Sequence, residues 1–565
     1  MGRDVRVLTA NPDAETVDTD DGRWIFSGLQ TETLREAVRD ADRPKELRET
    51  LPEVTEDATA VYVESGRDEP RVEAYRSVTG TRDIYYLRDG SDDLVVTDHF
   101  RNALAQLDAE EREVSDEVVA DHLLFRAPIE PRTYATRVNA LEQGGWLRWD
   151  GTNDEWQTEQ VDRLEPGNPC PPDVASASID ATLDDLLEQG CDAETANMLS
   201  GGIDSTLLHT YLDDSPAFIM GVDSPEFAFE TEYAKRARRM LDTDHRKVTV
   251  GEDDFLSHLE ASVDALGFPS HYAQTVTTDA ALRRDDGYRY LNGEGADALF
   301  GLTGTKGLRI AAWLEPLLSE QVADSLSDVA PDAVAGQYSS LTRLADRLQR
   351  PVSDAESFAQ HLSFFTEPSL AGEFVGDSLV ADRFRKQAEY VRGRVTPTAN
   401  GDRFAKQAEF GHLLSFFRHN TVNQWRQIGY EHDRSFFTPF KTRSMAECAL
   451  SVPPKKRYIQ GATAGRDLTQ KYHLKSLLQH RLPEYPTRQK KGSGSLPIER
   501  YFEDGALADI FEKYDAPSFV PEQMRSDHVE SYGRLTWNLI TFAVWRDRIL
   551  DNQDLSTVSG SRQLA

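Results

Sequence analysis

Two segments of the chain combine glycines, hydroxyls and carboxylates in a pattern suited to a nucleotide. One is LSGGIDSTLLH, Leu199 to His209, and the other, about ninety residues later, is LNGEGADALFG, Leu291 to Gly301. In the first, the apolar run Ala196 to Leu199 meets Ser200-Gly201-Gly202 and then a helical pattern. A strand, a tight glycine turn and a helix N-terminus aim backbone N–H groups and the positive end of a helix dipole at one spot, which favours an anion. Phosphate is the expected guest. The second segment repeats the device at the end of another apolar run and adds Glu294 and Asp297. No Gly-Lys-Ser/Thr follows the glycines, so the first segment is not a Walker loop. Taken alone, SGGIDS also fits an ordinary glycine turn capped by Asp204. The second motif weighs against that, and together the two predict a chain that splits a nucleoside triphosphate.

Segments so far apart need a scaffold that brings them together. From about residue 175, strand-like and helix-like runs alternate: ANMLS then STLLHTYL, AFIMGV then EYAKRARRMLD, HRKVTV then DDFLSHLEASVDALG, with YRYLN closing the series. Such alternation predicts a doubly wound parallel sheet, whose ligands bind beyond the carboxyl ends of the strands. Both glycine motifs lie at those ends. Residues 1–165 read instead as mostly strand (TAVYVES, VEAYRSVT, DIYYLRD, DLVVTD, and the hairpin element GGWLRWDG), with one helix-like run, DEVVADHLLF. Residues 166–175, with Pro166, Pro169, Pro171 and Pro172, read as a linker, and 176–550 as the second domain. From roughly 306 to 550 the pattern is mainly helical; Leu535, Leu539, Phe542 and Trp545 form a core stripe, and 551–565 are expected to be a flexible tail.

Composition narrows the partners. The 565 residues carry a net charge of -34, from 97 acidic against 63 basic side chains, and Arg far outnumbers Lys. Such a surface repels nucleic acid and anionic membranes. The acids are dispersed among periodic apolar residues, so a folded protein adapted to a high-salt cytoplasm is expected. No apolar stretch reaches membrane-spanning length and no signal-peptide core is visible. Cys170, Cys191 and Cys448 are scattered, without disulfide or metal-ligand spacing, which fits a reducing cytoplasm.

SGGIDS carries the signature of a pyrophosphate loop. With LNGEGADALFG it resembles the synthetase half of the glutamine-dependent asparagine synthetases, whose pattern is SGGxDS followed by SGEGxDE. The likeness continues through FIMGVDSPEFAFETEYAKRARRMLDTDHRKVTV and SVPPKKRY to KYHLKSLLQHRLPEYPTRQKKGSGSLP, similar to the family's KxxLR, LP and RxKxGF-type segment, and spans about 175 to 550. The first half also resembles that family's glutaminase domain, through VEAYRSVTGTRDIYYLRDGSDDLVVTDHF and LLFRAPIEPRTYATRVNALEQGGWLRWDG. The resemblance implies an ATP-pyrophosphatase (PP-loop) α/β domain with a helical C-terminal part, behind an α+β Ntn-hydrolase-type sandwich. The family's glutaminase needs an N-terminal cysteine as nucleophile. Here Met1 is followed by Gly2 and no cysteine precedes Cys170. A degenerate glutaminase-like scaffold without glutamine hydrolysis is expected, with ammonia arriving free or from a separate subunit.

By the same resemblance, Leu199, Ser200, Gly201, Gly202, Asp204, Ser205, Met220, Asn292 and Gly293 match positions that touch ATP, and Asp204 and Asp297 match the Mg²⁺-binding aspartates. Hard carboxylate oxygens suit that ion. Glu294 matches the position where asparagine synthetases carry Glu and ring-closing relatives tend to carry Tyr; a buried carboxylate there would take a proton from the attacking amine. Lys490, in Arg488-Gln489-Lys490-Lys491-Gly492, matches the catalytic lysine. Two departures stand out. Ala298 replaces the glutamate after the motif aspartate, and the segment ending ExRxPF is Ser435-Phe436-Phe437-Thr438-Pro439-Phe440. The leading expectation is an enzyme that adenylates a carboxylate, aspartate first, and transfers it to ammonia or another amine, releasing AMP and pyrophosphate. Its rivals are amide formation on a larger substrate, as in β-lactam synthetases or lasso-peptide cyclases, and a non-catalytic nucleotide-binding scaffold. A homodimer is implied by the resemblance alone.

Overall fold

A computed structural model of the protein describes residues 4–41, 44–64, 70–152, 155–225, 228–301, 365–396, 403–418, 421–453, 457, 471–487, 496–533 and 535–565. The period-two runs of the first half form β1 (Val5–Thr9), β2 (Glu15–Asp18), β3 (Gly22–Gly28), β4 (Ala58–Glu64), β5 (Arg71–Arg76), β6 (Tyr85–Arg88), β7 (Leu94–Thr97), β8 (Asn139–Ala140), β9 (Gly145–Asp150) and β10 (Glu155–Gln160). They make two sheets, ordered β10-β9-β5-β4-β3-β2 and β16-β1-β7-β6-β8, where β16 is Arg562–Gln563. Successive residues serve opposite faces. Ile25 and Val61 enter a core shared with Val7, Tyr86 and Val96 of the other sheet. Their neighbours Trp24, Phe26, Ala60 and Tyr62 turn to the outer face and pack on Leu34, Val38, Leu47 and Leu51. Those four leucines and valines belong to the helices Thr31–Asp40 and Pro44–Val54, which the strand-rich reading of this half did not anticipate. Tyr85, Leu87 and Val95 face the other way and join a core with Phe268 and Trp545 of the second half.

The second half is built on β11 (Ala196–Met198), β12 (Ala217–Val222), β13 (His245–Val250), β14 (Arg289–Leu291) and β15 (Ser435–Phe437). All pairings are parallel, in the order β13-β12-β11-β14-β15. Alternate residues again divide between two cores, because a parallel sheet is covered on both faces. Met198, Phe218, Tyr290 and Phe436 meet Leu259, Val276, Ile428 and Ile540. These come from the helices Phe255–Leu266, Ala273–Leu282, Thr421–Glu431 and Thr536–Trp545. Leu199, Ala217, Ile219 and Phe437 meet Ile179, Leu207, Ala234, Met445 and Leu474 on the other side. The mixed α/β architecture, the parallel sheet and the helical C-terminal region match the reading of the sequence. Every residue of Thr536–Trp545 is buried, so its apolar stripe is core on all sides.

Three expectations need correction. Ser435–Phe437, singled out only as a departure from the family pattern and given no element, is a strand, the edge of the parallel sheet. The helix Pro172–Gly190 begins inside the expected 166–175 linker, with Pro172 in its first turn where a missing N–H costs nothing. The expected flexible tail is docked. Leu564 N–H donates to Val7 O at 2.9 Å, Val7 N–H to Ala565 O at 3.0 Å, and Val558 packs with Ala10 and Tyr430. Backbone pairing with β1 holds a segment whose side chains gave no apolar period. Among the described residues no helix is long and apolar enough to cross a membrane.

Candidate active site

Register alone brings the two motifs together. β11 pairs with both β12 and β14, so the turns after Met198 and Leu291 leave adjacent strand tips. Leu199 N–H donates to Phe218 O at 2.9 Å and Asn292 N–H to Phe437 O at 3.0 Å, extending the ladders to the motifs. In the first turn Gly201 has φ +73°, and a Cβ there would lie 2.3 Å from the Tyr233 carbonyl carbon. Only glycine fits. Ser200 Oγ accepts from Gly202 N–H at 3.2 Å and lies 3.0 Å from Ser205 Oγ, which accepts from Ser200 N–H at 3.2 Å. These hydroxyls hold the turn whose N–H groups open the helix Ile203–His209.

The second turn is shaped against the first. A Cβ on Gly293 would stand 2.9 Å from Asp204 Cβ, so the bare glycine is what lets the loops touch. Gly295, at φ +91°, lets the chain pass Phe440 O before the helix Ala296–Phe300. Buried Asn292 accepts at Oδ1 from Glu294 N–H (3.1 Å) and from Thr438 Oγ1 (3.2 Å), tying this turn to the end of β15.

Between the two motif aspartates lies Lys471, to which sequence reasoning gave no role. Its ammonium is hydrogen-bonded to the Asp204 carboxylate and lies 2.9 Å from Asp297 Oδ1. Lys471 sits at φ 55°, just before the helix Tyr472–Arg481, and its N–H donates to Phe300 O at 3.0 Å. Burial works against its charge, but the two carboxylates outweigh it and hold the ammonium well above the ordinary lysine range. Lys471 opens the KYHLK run, in a chain poor in lysine. That scarcity, and the likeness of KYHLK to the family's KxxLR segment, were its visible signals.

The two turns border a pocket of about 740 Å³ including its open mouth, a size usual for small-molecule sites. Met198, Phe218, Met220 and Trp425 give it apolar walls, while Ser200, Asp204, Ser205, Asn292, Glu294 and Asp297 give it polar ones. Leu199, Gly293 and Gly295 complete the lining named for the motifs. Trp425, from the helix Thr421–Glu431, was not foreseen because it lies more than a hundred residues beyond either motif. Glu294 lines the pocket but is exposed rather than buried, since the tight turn projects it to the mouth. The buried ionisable group nearby is Lys441, also not foreseen: its Nζ donates to Phe416 O and lies 4.3 Å from that ring. Burial pulls its pKa down to about 7, against the opposing pull of Glu294 and Asp57. Ala298 is packed in the apolar cluster of Leu299, Phe300, Phe410 and Leu413, and its carbonyl accepts from His412 Nδ1. Lys490 lies outside the described residues.

None of the curated proteins compared with the chain matches it. A family model described as asparagine synthase matches residues 180–545, well over half of the chain, from within the helix Pro172–Gly190 to the last residue of Thr536–Trp545. Both glycine turns, all five parallel strands and Lys471 fall inside that match. The chain belongs to the asparagine synthase family.

Proposed function

We propose that the protein adenylates a carboxylate, aspartate in the leading case, and transfers the acyl group to ammonia or another amine, releasing AMP and pyrophosphate. Its family makes it an ATP-dependent carbon–nitrogen ligase. The observation that carries the finer reading is the meeting of Asp204 and Asp297 on one cation at the tips of adjacent parallel strands. Two carboxylates around an ammonium are also the hard-oxygen donors that Mg²⁺ prefers, and the site fits that ion. No group of three or more potential metal-ligating side chains occurs among the described residues. The remaining oxygens would therefore come from the triphosphate and water. Mg²⁺ supplies charge neutralisation on the phosphates when bound.

The roles of the residues follow. Ser200, Gly201, Gly202 and Ser205 are assigned to the cradle of phosphate oxygens, where negative charge builds as pyrophosphate departs. Leu199, Met220, Asn292 and Gly293 shape the nucleotide seat between the two strand tips. Lys471 keeps the aspartates converged and adds a second positive charge beside the phosphates. Glu294, at the mouth, accepts a proton from the attacking amine, which fits a carboxylate lining the open side of the pocket. Lys490 is assigned the neutralisation of charge in the adenylation step by resemblance alone. The N-terminal sandwich is read as a scaffold that does not hydrolyse glutamine.

The test is AMP and pyrophosphate release by the purified full chain with ATP, Mg²⁺ and high salt. Aspartate is supplied with ammonium, with glutamine, or with no amine. Product with ammonium and none with glutamine is expected. Nucleotide binding without AMP in any mixture would leave only a binding scaffold. Glu294→Gln should lower amide formation far more than ATP binding.

A further inference from the structure

We infer a second ligand site, for a small oxyanion, in a cavity between the edge of the parallel sheet and the N-terminal sandwich. The cavity encloses about 970 Å³ including its open mouth. Ser435 to Thr438 of β15 and its exit form one wall, and Asp13, Asp57 and Arg82 of the N-terminal half contribute others, with Arg426 between. It is distinct from the nucleotide pocket, although Thr438, whose hydroxyl donates to Asn292, lies between the two.

Two buried guanidinium groups meet at its inner end. Arg82 and Arg426 are 8% and 3% exposed. Both lean on one carboxylate: Asp57 Oδ2 is 3.1 Å from Arg426 Nη2 and 3.4 Å from Arg82 Nε. That carboxylate already accepts the hydroxyls of Thr81 and Thr79. Asp13, the other acid that acts on both guanidinium groups, has its oxygens turned to the hydroxyls of Ser435 and Tyr288. Arg82 Nε, Arg82 Nη1 and Arg426 Nε are buried with no hydrogen-bond acceptor among the described residues. Unmet charged donors in a water-poor place are costly. Water could fill the donor positions, but it leaves two guanidinium charges against one close carboxylate. Burial and Arg82 together pull the Arg426 pKa down, whereas at Arg82 burial is outweighed by Asp57, Tyr430 and Asp13 and the pKa rises, so the shortfall of counter-charge lies at Arg426. An oxyanion supplies both acceptors and charge, and planar guanidinium N–H groups match a carboxylate or a phosphate.

The test is calorimetric titration of the full chain at constant ionic strength, with sodium succinate and sodium acetate in one arm and inorganic phosphate in the other. One saturable site is expected, and the arm that saturates identifies the ligand as carboxylate or phosphate. Arg82→Gln should weaken it about tenfold or more, corresponding to the loss of a charged hydrogen bond. Gln189→Trp, a change at an exposed position on the cavity mouth, should block entry without touching the buried arginines. Both variants should keep wild-type affinity for MgATP, which reports folding and the separate pocket. No saturation in either arm, or saturation unchanged in Gln189→Trp and in a folded Arg82→Gln, overturns the inference.

Discussion

Gly293→Ala is the sharpest probe of how the two motifs cooperate. The added methyl would sit 2.9 Å from Asp204 Cβ, whereas carbon atoms in contact settle at about 3.5–4.0 Å. The loops must therefore part by roughly 0.6 Å or more, taking Asp204 away from Asp297 and Lys471. Forced overpacking of this kind costs about 1–3 kcal/mol, or a factor of roughly 5 to 150 at 1.4 kcal/mol per tenfold. The loss should appear in kcat/KM for AMP release and in MgATP affinity, because the proposed function seats the phosphates between the two loops. Gly251→Ala is the control. It lies just past β13, and its Cβ would meet nothing nearer than Asp254 Oδ2 at 3.9 Å, so it should behave as wild type. If Gly293→Ala bound MgATP and released AMP at wild-type levels while folded, the loops would not need their contact, and the paired-turn account of the site would be wrong.

Three further outcomes are expected. Lys471→Met leaves Asp204 and Asp297 facing each other; at about 5 Å and an effective dielectric near 20 the repulsion approaches ~3 kcal/mol. The half-exposed Asp297 side chain (50%) brings this down to about 1–2 kcal/mol by screening. The variant should melt earlier than wild type in chelator and recover with millimolar Mg²⁺, and equal melting in both conditions would contradict the charge assignment. Buried His99, His122, His209 and His412 have their pKa values pulled down by burial to about 3, 4, 4 and 3. Below the unfolded value near 6.5 the unfolded chain binds more protons. Stability should therefore fall as pH drops from about 6.5 toward 4, by up to about 2 kcal/mol per histidine at pH 5, in urea melts at fixed salt. Deleting residues 557–565 removes β16 and Val558 from β1, Ala10 and Tyr430; protease nicking near the exposed edge of β1 should accelerate, and an unchanged digestion pattern would mean the docked tail contributes nothing.

Much of the site was legible because its chemistry is local. Ser200-Gly201-Gly202 and Gly293-Glu294-Gly295 announce tight turns through their glycines, and the apolar runs before them announce strands. The alternation of strand and helix from residue 196 to 291 was readable for the same reason, since period and turn residues are properties of neighbours. What failed was whatever depends on distant partners. Ser435–Phe437 is too short to show a strand period and is a strand only because β14 offers it a ladder. The residues 562–563 had no pattern at all until β1 supplied one. Glu294 was expected to be buried, but its exposure is set by where the turn ends relative to the sheet, which spacing does not encode.

By itself the sequence determined the two glycine turns, the parallel α/β plan and the carboxylates that accompany those turns. Only the tertiary structure decided that Asp204 and Asp297 meet on Lys471, that Trp425 walls the pocket between the two turns while Lys441 is buried against Phe416, and that Arg82 and Arg426 share a single close carboxylate. The physical reason is the same in each case. Turns and helices are dictated by interactions over a few residues, whereas the pairing of charges depends on which strand tips and helix ends the packed sheet brings within a few ångströms.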